Sequence, residues 1–182
     1  MADSVEDGHR KTYPVSFAQQ QLWVLDRLDP GTPVYNIPYA IRARGTLSIP
    51  ALRESLREIV ARHESLRTTF AEIEEEPVQI VGDACPLDLT TIELSDVPES
   101  GRESEAMRLA RDEAQRPFDL TSGRLIRASV LRLSADEHIL LLVIHHIVTD
   151  GWSMCVLLKE IGQLYDAYAA GRRSPLRDLP LQ

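Results

Sequence analysis

Two adjacent histidines, His145 and His146, stand in the stretch VIHHIVTDGWSM at residues 143–154. Imidazoles bind metals, pack in protein cores or act as bases, so the pair has three possible interpretations. Neighbouring residues of an extended chain point to opposite faces, so the two rings do not easily share one ion and we expect no metal site. Opposite facing predicts instead that one ring is locked inside as a support while the other faces a cavity as a base.

His146, Asp150 and Gly151 form an H-x-x-x-D-G pattern where an apolar run ends and the chain turns toward a helix. Functional side chains are common on such loops. Asp150 either acts on His146 or is buried against an arginine, because a buried carboxylate needs a charged partner. Gly151 permits close approach of the backbone, and its N–H is suited to face a developing oxyanion. The isolated histidines His63 and His138 are interpreted as structural.

The elements that position this motif follow from the spacing of apolar residues. Ser16 and Gln19 form a capping box, which predicts a helix over residues 16–28. Further helices are predicted at 49–66, 98–116 and 153–171, and strands at 37–45, 67–73, 77–82, 87–94, 125–133 and 138–146. The three short strands before residue 95 favour a meander, and the uniformly apolar last strand favours a central place in the sheet. Helices and strands interleave, so the fold class is α/β or α+β.

Composition excludes several classes of function. The net charge is −8 and the 20 basic residues are scattered among 28 acidic ones, so we expect no nucleic-acid partner. The longest apolar run, residues 139–144, is too short to span a bilayer, and the N-terminus lacks the apolar core of a signal peptide. Cys85 and Cys155 are far apart and form no C-x-x-C pair, which indicates a reducing compartment. We therefore expect a cytoplasmic protein without a membrane partner.

Three stretches together resemble the condensation domains of non-ribosomal peptide synthetases. They are SFAQQQLWVL at 16–25, RHESLRTTF at 62–70 and HHIVTDGWS at 145–153, and RPFDLTSGRLIRA at 116–128 resembles the family's segment between them. Their order and spacing match over nearly the whole chain. Two residues depart from the family pattern, since Gln21 stands where arginine is usual and Arg124 where proline is usual.

The family's active-site motif is H-H-x-x-x-D-G, and the resemblance therefore implies a role for each matching residue. The implied roles are the active-site histidine (His146), its structural neighbour (His145), a salt-bridged support (Asp150) and a backbone contact (Gly151). The arginine that pairs with Asp150 is expected to be Arg62 or Arg67, both in the second stretch.

The resemblance also implies the architecture. It is a chloramphenicol-acetyltransferase-like α/β sandwich, in which helices cover a mixed β-sheet. Family members have two lobes, are more than twice this long and hold the active site in a tunnel between the lobes. We accordingly expect residues 1–13 to be a polar leader and residues 14–182 to be the N-terminal lobe, with the C-terminal lobe absent. The ending LRDLPLQ resembles a segment that continues in the family, so we expect a truncated chain that is nearly inactive alone.

The implied reaction is amide formation between a donor aminoacyl or peptidyl thioester and an acceptor aminoacyl thioester. The motif is most similar to the subclass that joins an L-donor to an L-acceptor. Both substrates are carried on the phosphopantetheine of upstream and downstream carrier proteins, so no cofactor is expected to bind directly. The other expected partners are the C-terminal lobe and an adenylation domain in cis.

Other functions stay open at this point. One is a coenzyme A-dependent H-x-x-x-D-G acyltransferase, which shares the motif but is not expected to share the first two stretches. Another is a non-catalytic condensation-like domain that recruits partner enzymes, against which the intact HHIVTDG argues. An epimerization domain is also related, but DGWS resembles the condensing form more.

Overall fold

Strands and helices alternate along the part of the chain that the computed structural model describes, residues 11–83, 87–121 and 124–180. The strands there are β1 (Lys11–Pro14), β2 (Asn36–Arg44), β3 (Thr68–Ile73), β4 (Glu76–Val81), β5 (Leu89–Glu93), β6 (Ile126–Arg132) and β7 (Glu137–His145). The α-helices there are α1 (Phe17–Leu28), α2 (Ile49–Arg62), α3 (Glu99–Gln115) and α4 (Gly151–Ala169), and 3-10 turns span Glu64–Arg67 and His146–Val148. Residues 1–10 of the predicted leader, Cys85 and the final Gln182 lie outside the described residues.

The strand that ends at the histidine pair lies inside the larger sheet. The order of that sheet in the described residues is β2-β7-β6-β5, with β7 antiparallel to both of its neighbours. Residues Leu140, Leu142 and Ile144 of β7 pack with α2 and α4, whereas Ile139, Leu141 and Val143 pack in two clusters on the opposite face. Both faces of β7 are thus covered, which explains its uniformly apolar sequence and confirms its predicted central place.

The predicted meander of three strands is wrong in its last member. β3 and β4 form an antiparallel hairpin whose turn contains Glu74 and Glu75, both with positive φ. β5 instead joins the larger sheet parallel to β6, and α3 makes the crossover between them. Parallel neighbours require such a long connection, whereas strands close in sequence are ordinarily read as hairpins. Local patterns therefore did not reveal that β5 changes sheet.

A second, smaller sheet lies next to the start of α1. Its order is β1-β4-β3 in the described residues, and both pairs are antiparallel. β1, Lys11–Pro14, lies mostly in the segment that the sequence presented as a polar leader. Directly after it, the predicted capping box forms, since Gln19 N donates to Ser16 Oγ at 3.2 Å and Ser16 N donates to Gln19 Oε1 at 2.8 Å. The cap fixes where α1 begins.

The helix that follows the histidine motif also ends as predicted. Gly171 has φ of +66°, a left-handed conformation that favours glycine, and its N–H donates to Tyr168 O at 3.0 Å. α4 packs against α2 over the sheet face that carries Leu142. None of the helices in the described residues is both long and apolar enough to cross a membrane.

Candidate active site

The two adjacent rings of the motif occupy different environments. His145 ends β7 and is 2% exposed, with its ring edge-on to that of Phe118 at a centroid distance of 6.1 Å. Its Nδ1 accepts a hydrogen bond from Ile147 N at 3.2 Å, so the proton of the neutral ring is on Nε2. Burial, and secondarily the nearby His146, lowers the pKa of His145 to about 4. His145 is therefore a neutral packing residue at pH 7.

His146 begins the 3-10 turn His146–Val148, hereafter the His146 turn, and its side chain is exposed. Its Nδ1 lies 2.6 Å from Thr149 O, and because a carbonyl oxygen only accepts, Nδ1 carries the proton of the neutral ring. Within the described residues, the lone pair of Nε2 has no intramolecular partner. The backbone is also fixed, since His146 N donates to Tyr35 O at 2.9 Å. A held ring with a free Nε2 lone pair is the arrangement that a general base requires.

The exposed His146 lines a cleft of about 500 Å³ that is open to solvent. The cleft lies between the start of α1 and the start of α4, and its polar lining includes Ser16, Gln19, Gln21, Asp150 and Ser153. A base thus faces a space with hydroxyl, amide and carboxylate groups, which suits the binding of a polar substrate.

A larger cavity of about 970 Å³ lies elsewhere and does not include His146. Two of the arginines that line it are already bound within the protein. Arg127 Nε donates to Glu113 Oε1 at 2.6 Å, and Arg67 Nη1 donates to Gly82 O at 2.6 Å. We therefore place the candidate active site in the smaller cleft.

The prediction that Asp150 is buried and paired with an arginine is wrong. Asp150 is exposed and caps α4, because its Oδ1 accepts hydrogen bonds from both N and Oγ of Ser153 at 2.7 Å. The first of these bonds, followed by the second, lowers the pKa of Asp150 below its ordinary value. A short carboxylate just before a helix finds a free backbone N–H closer than any arginine on another element.

The two candidate arginines bind other acids. Arg62 Nε donates to both carboxylate oxygens of Glu160 at 3.2 Å, and Arg67 Nη2 lies 3.3 Å from Glu64 Oε1. Glu160 also lies 2.7 Å from His63 Nε2. This carboxylate is on the face of α4 that meets α2, and the sequence did not single it out. His63 thus has the structural place that was predicted for it.

Gly151 is the first residue of α4. A Cβ added there would meet nothing within 4 Å, so packing within the described chain does not require a glycine. Its N–H is one of the first amides of the helix, which have no partner inside the helix. The predicted contact of this N–H with an oxyanion stays a prediction.

Two residues of the cleft were missed as site residues. Ser153 holds Asp150, and the Nε2 of Gln19 donates to Ile147 O of the His146 turn at 3.4 Å. The sequence named Gln19 only as the partner of Ser16 in the capping box, and nothing in a local pattern predicts a contact across 128 positions.

Within the described ranges, histidine, cysteine, aspartate and glutamate form no group of three or more that could hold a metal ion.

Comparison with known families identifies the family of this chain. A sequence model described as "Condensation domain" matches residues 9–181. The chain belongs to the condensation-domain family. The recognition from three sequence stretches is thereby confirmed.

Relatives of this condensation domain are much longer proteins. It is 48% identical over 169 residues to one of the Linear gramicidin synthase proteins of Brevibacillus parabrevis, an alignment that covers 93% of this chain and 2% of that protein. It is 46% identical over 174 residues to Chondramide synthase cmdD of Chondromyces crocatus, covering 96% of this chain and 4% of that protein. Phosphinothricin tripeptide synthetase PhsC of Streptomyces viridochromogenes is 42% identical over 169 residues, with 93% and 16% covered. The chain spans a small part of each.

Solved structures of condensation domains have the same fold. The first condensation domain of the calcium-dependent antibiotic synthetase, solved with substrate analogue 2a, matches with a TM-score of 0.81 and 28% identity. That match covers 91% of this chain and 39% of the other. The starter condensation domain of rhizomide synthetase RzmA matches with a TM-score of 0.85 and 24% identity, covering 92% and 40%. The predicted chloramphenicol-acetyltransferase-like α/β fold, with helices on a mixed sheet, is confirmed.

Proposed function

We propose that this condensation domain forms an amide bond between a donor aminoacyl or peptidyl thioester and the amine of an acceptor aminoacyl thioester. The observation that carries the proposal is the distance of 2.6 Å between His146 Nδ1 and Thr149 O. The hydrogen bond from Nδ1 to Thr149 O leaves the Nε2 lone pair in the cleft, where an acceptor amine can donate to it.

The proposed amide-forming reaction requires only moderate base strength from His146. An α-amine has a pKa of about 8, so roughly a tenth of it is already neutral at pH 7. The amine nitrogen attacks the thioester carbonyl, its proton passes to Nε2 of His146, and the C–S bond breaks. The proton then passes to the leaving sulfur, which gives an amide and a thiol. We propose that the N–H of Gly151 stabilises the oxyanion of the tetrahedral intermediate, and that proximity of the two tethered reactants supplies much of the acceleration.

Membership of the family supports a proposal for the substrates and partners. We propose an L-donor and an L-acceptor, each carried on the phosphopantetheine of an upstream or downstream carrier protein, with an adenylation domain in cis. Residues 14–182 would form the N-terminal lobe, and a C-terminal lobe would complete the tunnel around His146. The protein would act in the cytoplasm and bind no cofactor directly.

A coenzyme A-dependent acyltransferase is the second candidate. One solved structure of the RzmA starter condensation domain is a variant in complex with C8-CoA. That match is 24% identical and supports the fold alone. The motif stretches that this chain shares with peptide-forming domains favour carrier-bound donors.

One assay separates these candidates. A protein that carries this chain together with a second lobe is given an aminoacyl donor on a carrier protein or on coenzyme A, with an acceptor on a second carrier protein. We expect peptide formation from the carrier-bound donor and loss of about a hundredfold or more in the His146→Ala variant. Faster turnover of the coenzyme A donor would support the second candidate, and no turnover of either would support a recruitment domain.

The neighbouring histidine is the matched control for that assay. His145 is buried behind the turn, so His145→Gln should reduce condensation far less than His146→Ala does in variants that fold. The chain of 182 residues alone should be nearly inactive, because one lobe does not hold two substrates together. Turnover by this chain above that of its His146→Ala variant would contradict the second statement, and equal losses in both histidine variants would contradict the first.

A further inference from the structure

Ile147, which follows the exposed histidine, has both of its backbone polar groups held by side chains. Its N–H donates to His145 Nδ1 at 3.2 Å, and its carbonyl oxygen accepts from Gln19 Nε2 at 3.4 Å. The first bond comes from the interior and the second from the wall of the cleft. Ile147 is itself 4% exposed, so its peptide groups have little access to water. The conformation of the His146 turn thus depends on two side chains outside it.

Both polar atoms of the Gln19 side-chain amide form hydrogen bonds. Its Oε1 accepts from Ser16 N at 2.8 Å, and its Nε2 donates to Gln79 Oε1 at 3.2 Å as well as to Ile147 O. Gln79 in turn donates from its own Nε2 to Pro14 O at 3.0 Å. One amide therefore connects α1, the smaller sheet and the His146 turn. An amide fixed at both ends holds its carbonyl partner more firmly than a free side chain does.

We propose that Gln19 is a positioning residue that keeps His146 in the tautomer with a free Nε2. The bond from His146 Nδ1 to Thr149 O closes the same turn whose Ile147 carbonyl Gln19 holds. Loss of that hold lets the turn open and releases the ring from Thr149 O. The ring then adopts the Nε2-protonated form that free imidazole side chains favour. The consequence for catalysis rests on the proposed function, whereas the consequence for the tautomer does not.

A purely structural role, the capping of α1, is the competing explanation for Gln19. The substitution Gln19→Glu separates the two roles. A glutamate at this position accepts from Ser16 N and completes a capping box, and its charge is favourable at a helix N-terminus. It cannot donate to Ile147 O, and its oxygens repel that carbonyl. Gln19→Glu therefore preserves the cap and removes both hydrogen bonds that Nε2 donates, to Ile147 O and to Gln79 Oε1.

The control is Gln21→Glu on the same helix. Gln21 lines the same cleft, and in residues 11–83, 87–121 and 124–180 its side chain makes no hydrogen bond. This variant adds the same charge to the cleft without touching Ile147. A change that both variants share is due to charge, and a change in Gln19→Glu alone is due to the lost donor group, which holds Ile147 O and Gln79 Oε1.

The tautomer is measured directly by nuclear magnetic resonance of the 182-residue chain labelled with ¹⁵N-histidine. The signals of His146 are assigned by their loss in His146→Ala. We expect His146 to be predominantly Nδ1-protonated in the wild type and in Gln21→Glu, and to shift toward the Nε2-protonated form in Gln19→Glu with an unchanged melting temperature. If Gln19→Glu does not fold, Gln19→Met, which is uncharged and of similar length, gives the same readout.

Three results of this measurement would overturn the proposal. They are a wild-type His146 that is mainly Nε2-protonated, an unchanged tautomer in Gln19→Glu, and an equal change in Gln21→Glu.

A kinetic measurement tests the link to catalysis in a protein that carries this chain with a second lobe. Gln19→Glu should lower kcat about tenfold with a smaller change in KM, because its main effect is on proton transfer. Gln20→Glu, the adjacent and exposed position, should leave both unchanged. A changed tautomer with unchanged kcat would overturn the positioning role. Absence of peptide formation in every protein, including the wild type, would instead contradict the proposed function and leave the tautomer result standing.

Discussion

His145 and His146 hold opposite tautomers although they are adjacent in the chain. Nδ1 of His145 accepts from Ile147 N, whereas Nδ1 of His146 donates to Thr149 O. The acceptor nitrogen of the buried ring, Nδ1 of His145, therefore faces the turn. The acceptor nitrogen of the exposed ring, Nε2 of His146, faces the cleft. Protonation of His145 would bury a charge, because that side chain is 2% exposed.

The buried ring makes the stability of the fold depend on pH. The pKa of His145 falls from its ordinary value of 6.5 to about 4 in the folded protein, so the unfolded chain takes up the proton first. The contribution of the neutral His145 ring to the free energy of unfolding is fully present above pH 6.5. It is lost as the pH falls toward 4, by roughly 3 kcal/mol in total at 1.36 kcal/mol for each pH unit. Burial also lowers the pKa of His138, which adds to the loss in the same direction.

Urea unfolding between pH 7 and pH 4.5 measures this dependence. The wild type should lose more free energy of unfolding over this range than His145→Gln does, and the difference isolates His145 from His138. Parallel pH profiles for the two proteins would show that His145 does not titrate as the structure indicates.

The cap formed by Asp150 predicts a specific ranking of variants. Asparagine is as good a helix cap as aspartate, so Asp150→Asn should be nearly as stable as the wild type. Asp150→Ala removes the acceptor for Ser153 N and should cost about 1 kcal/mol. Thermal unfolding of the two variants checks the order. A severe loss in Asp150→Asn would point back to the buried ion pair expected from the sequence.

We expect the ion pair of Glu160 with Arg62 to contribute more to the free energy of unfolding than an exposed ion pair does. The side chains of Arg62 and Glu160 are 12% and 11% exposed, so Glu160→Gln should destabilise the fold by roughly 3 kcal/mol. The matched control is Glu54→Gln, since the side chains of Arg57 and Glu54 are 66% and 49% exposed, and its effect should be within about 0.5 kcal/mol. Urea unfolding of both variants gives the comparison, and equal effects would contradict the importance of the buried pair.

Large apolar side chains beside the cleft predict self-association of the chain. Phe17 directly follows Ser16 of the cleft lining and is 77% exposed, and Trp152 directly precedes Ser153 and is 81% exposed. Exposed apolar surface of this kind favours contacts between molecules. Sedimentation velocity over a range of concentrations should show oligomers, and Phe17→Glu with Trp152→Glu should shift them toward monomer. Val34→Glu is the control at a comparably exposed site, and an equal shift in that variant would contradict the assignment to this surface.

The sequence by itself determined those features that depend on neighbours along the chain. The capping box of Ser16 and Gln19, the central strand of uniformly apolar residues and the stop at Gly171 are all confirmed. The alternation of an extended chain also predicted different environments for the two histidines, although β7 ends at His145 and His146 begins a 3-10 turn. Three motif stretches in the right order were also sufficient to recognise the family.

Only the tertiary structure decided which distant groups meet. Asp150 is bound locally by Ser153, three residues away, whereas Arg62 binds Glu160 at a separation of 98 positions. The contact of Gln19 with Ile147 O and the parallel pairing of β5 with β6 are of the same kind. Hydrogen bonds and ion pairs depend on distances of a few ångström, and a charged or polar residue in a sequence has many possible partners. The packing of helices on the sheet selects one of them, and no local pattern records that choice.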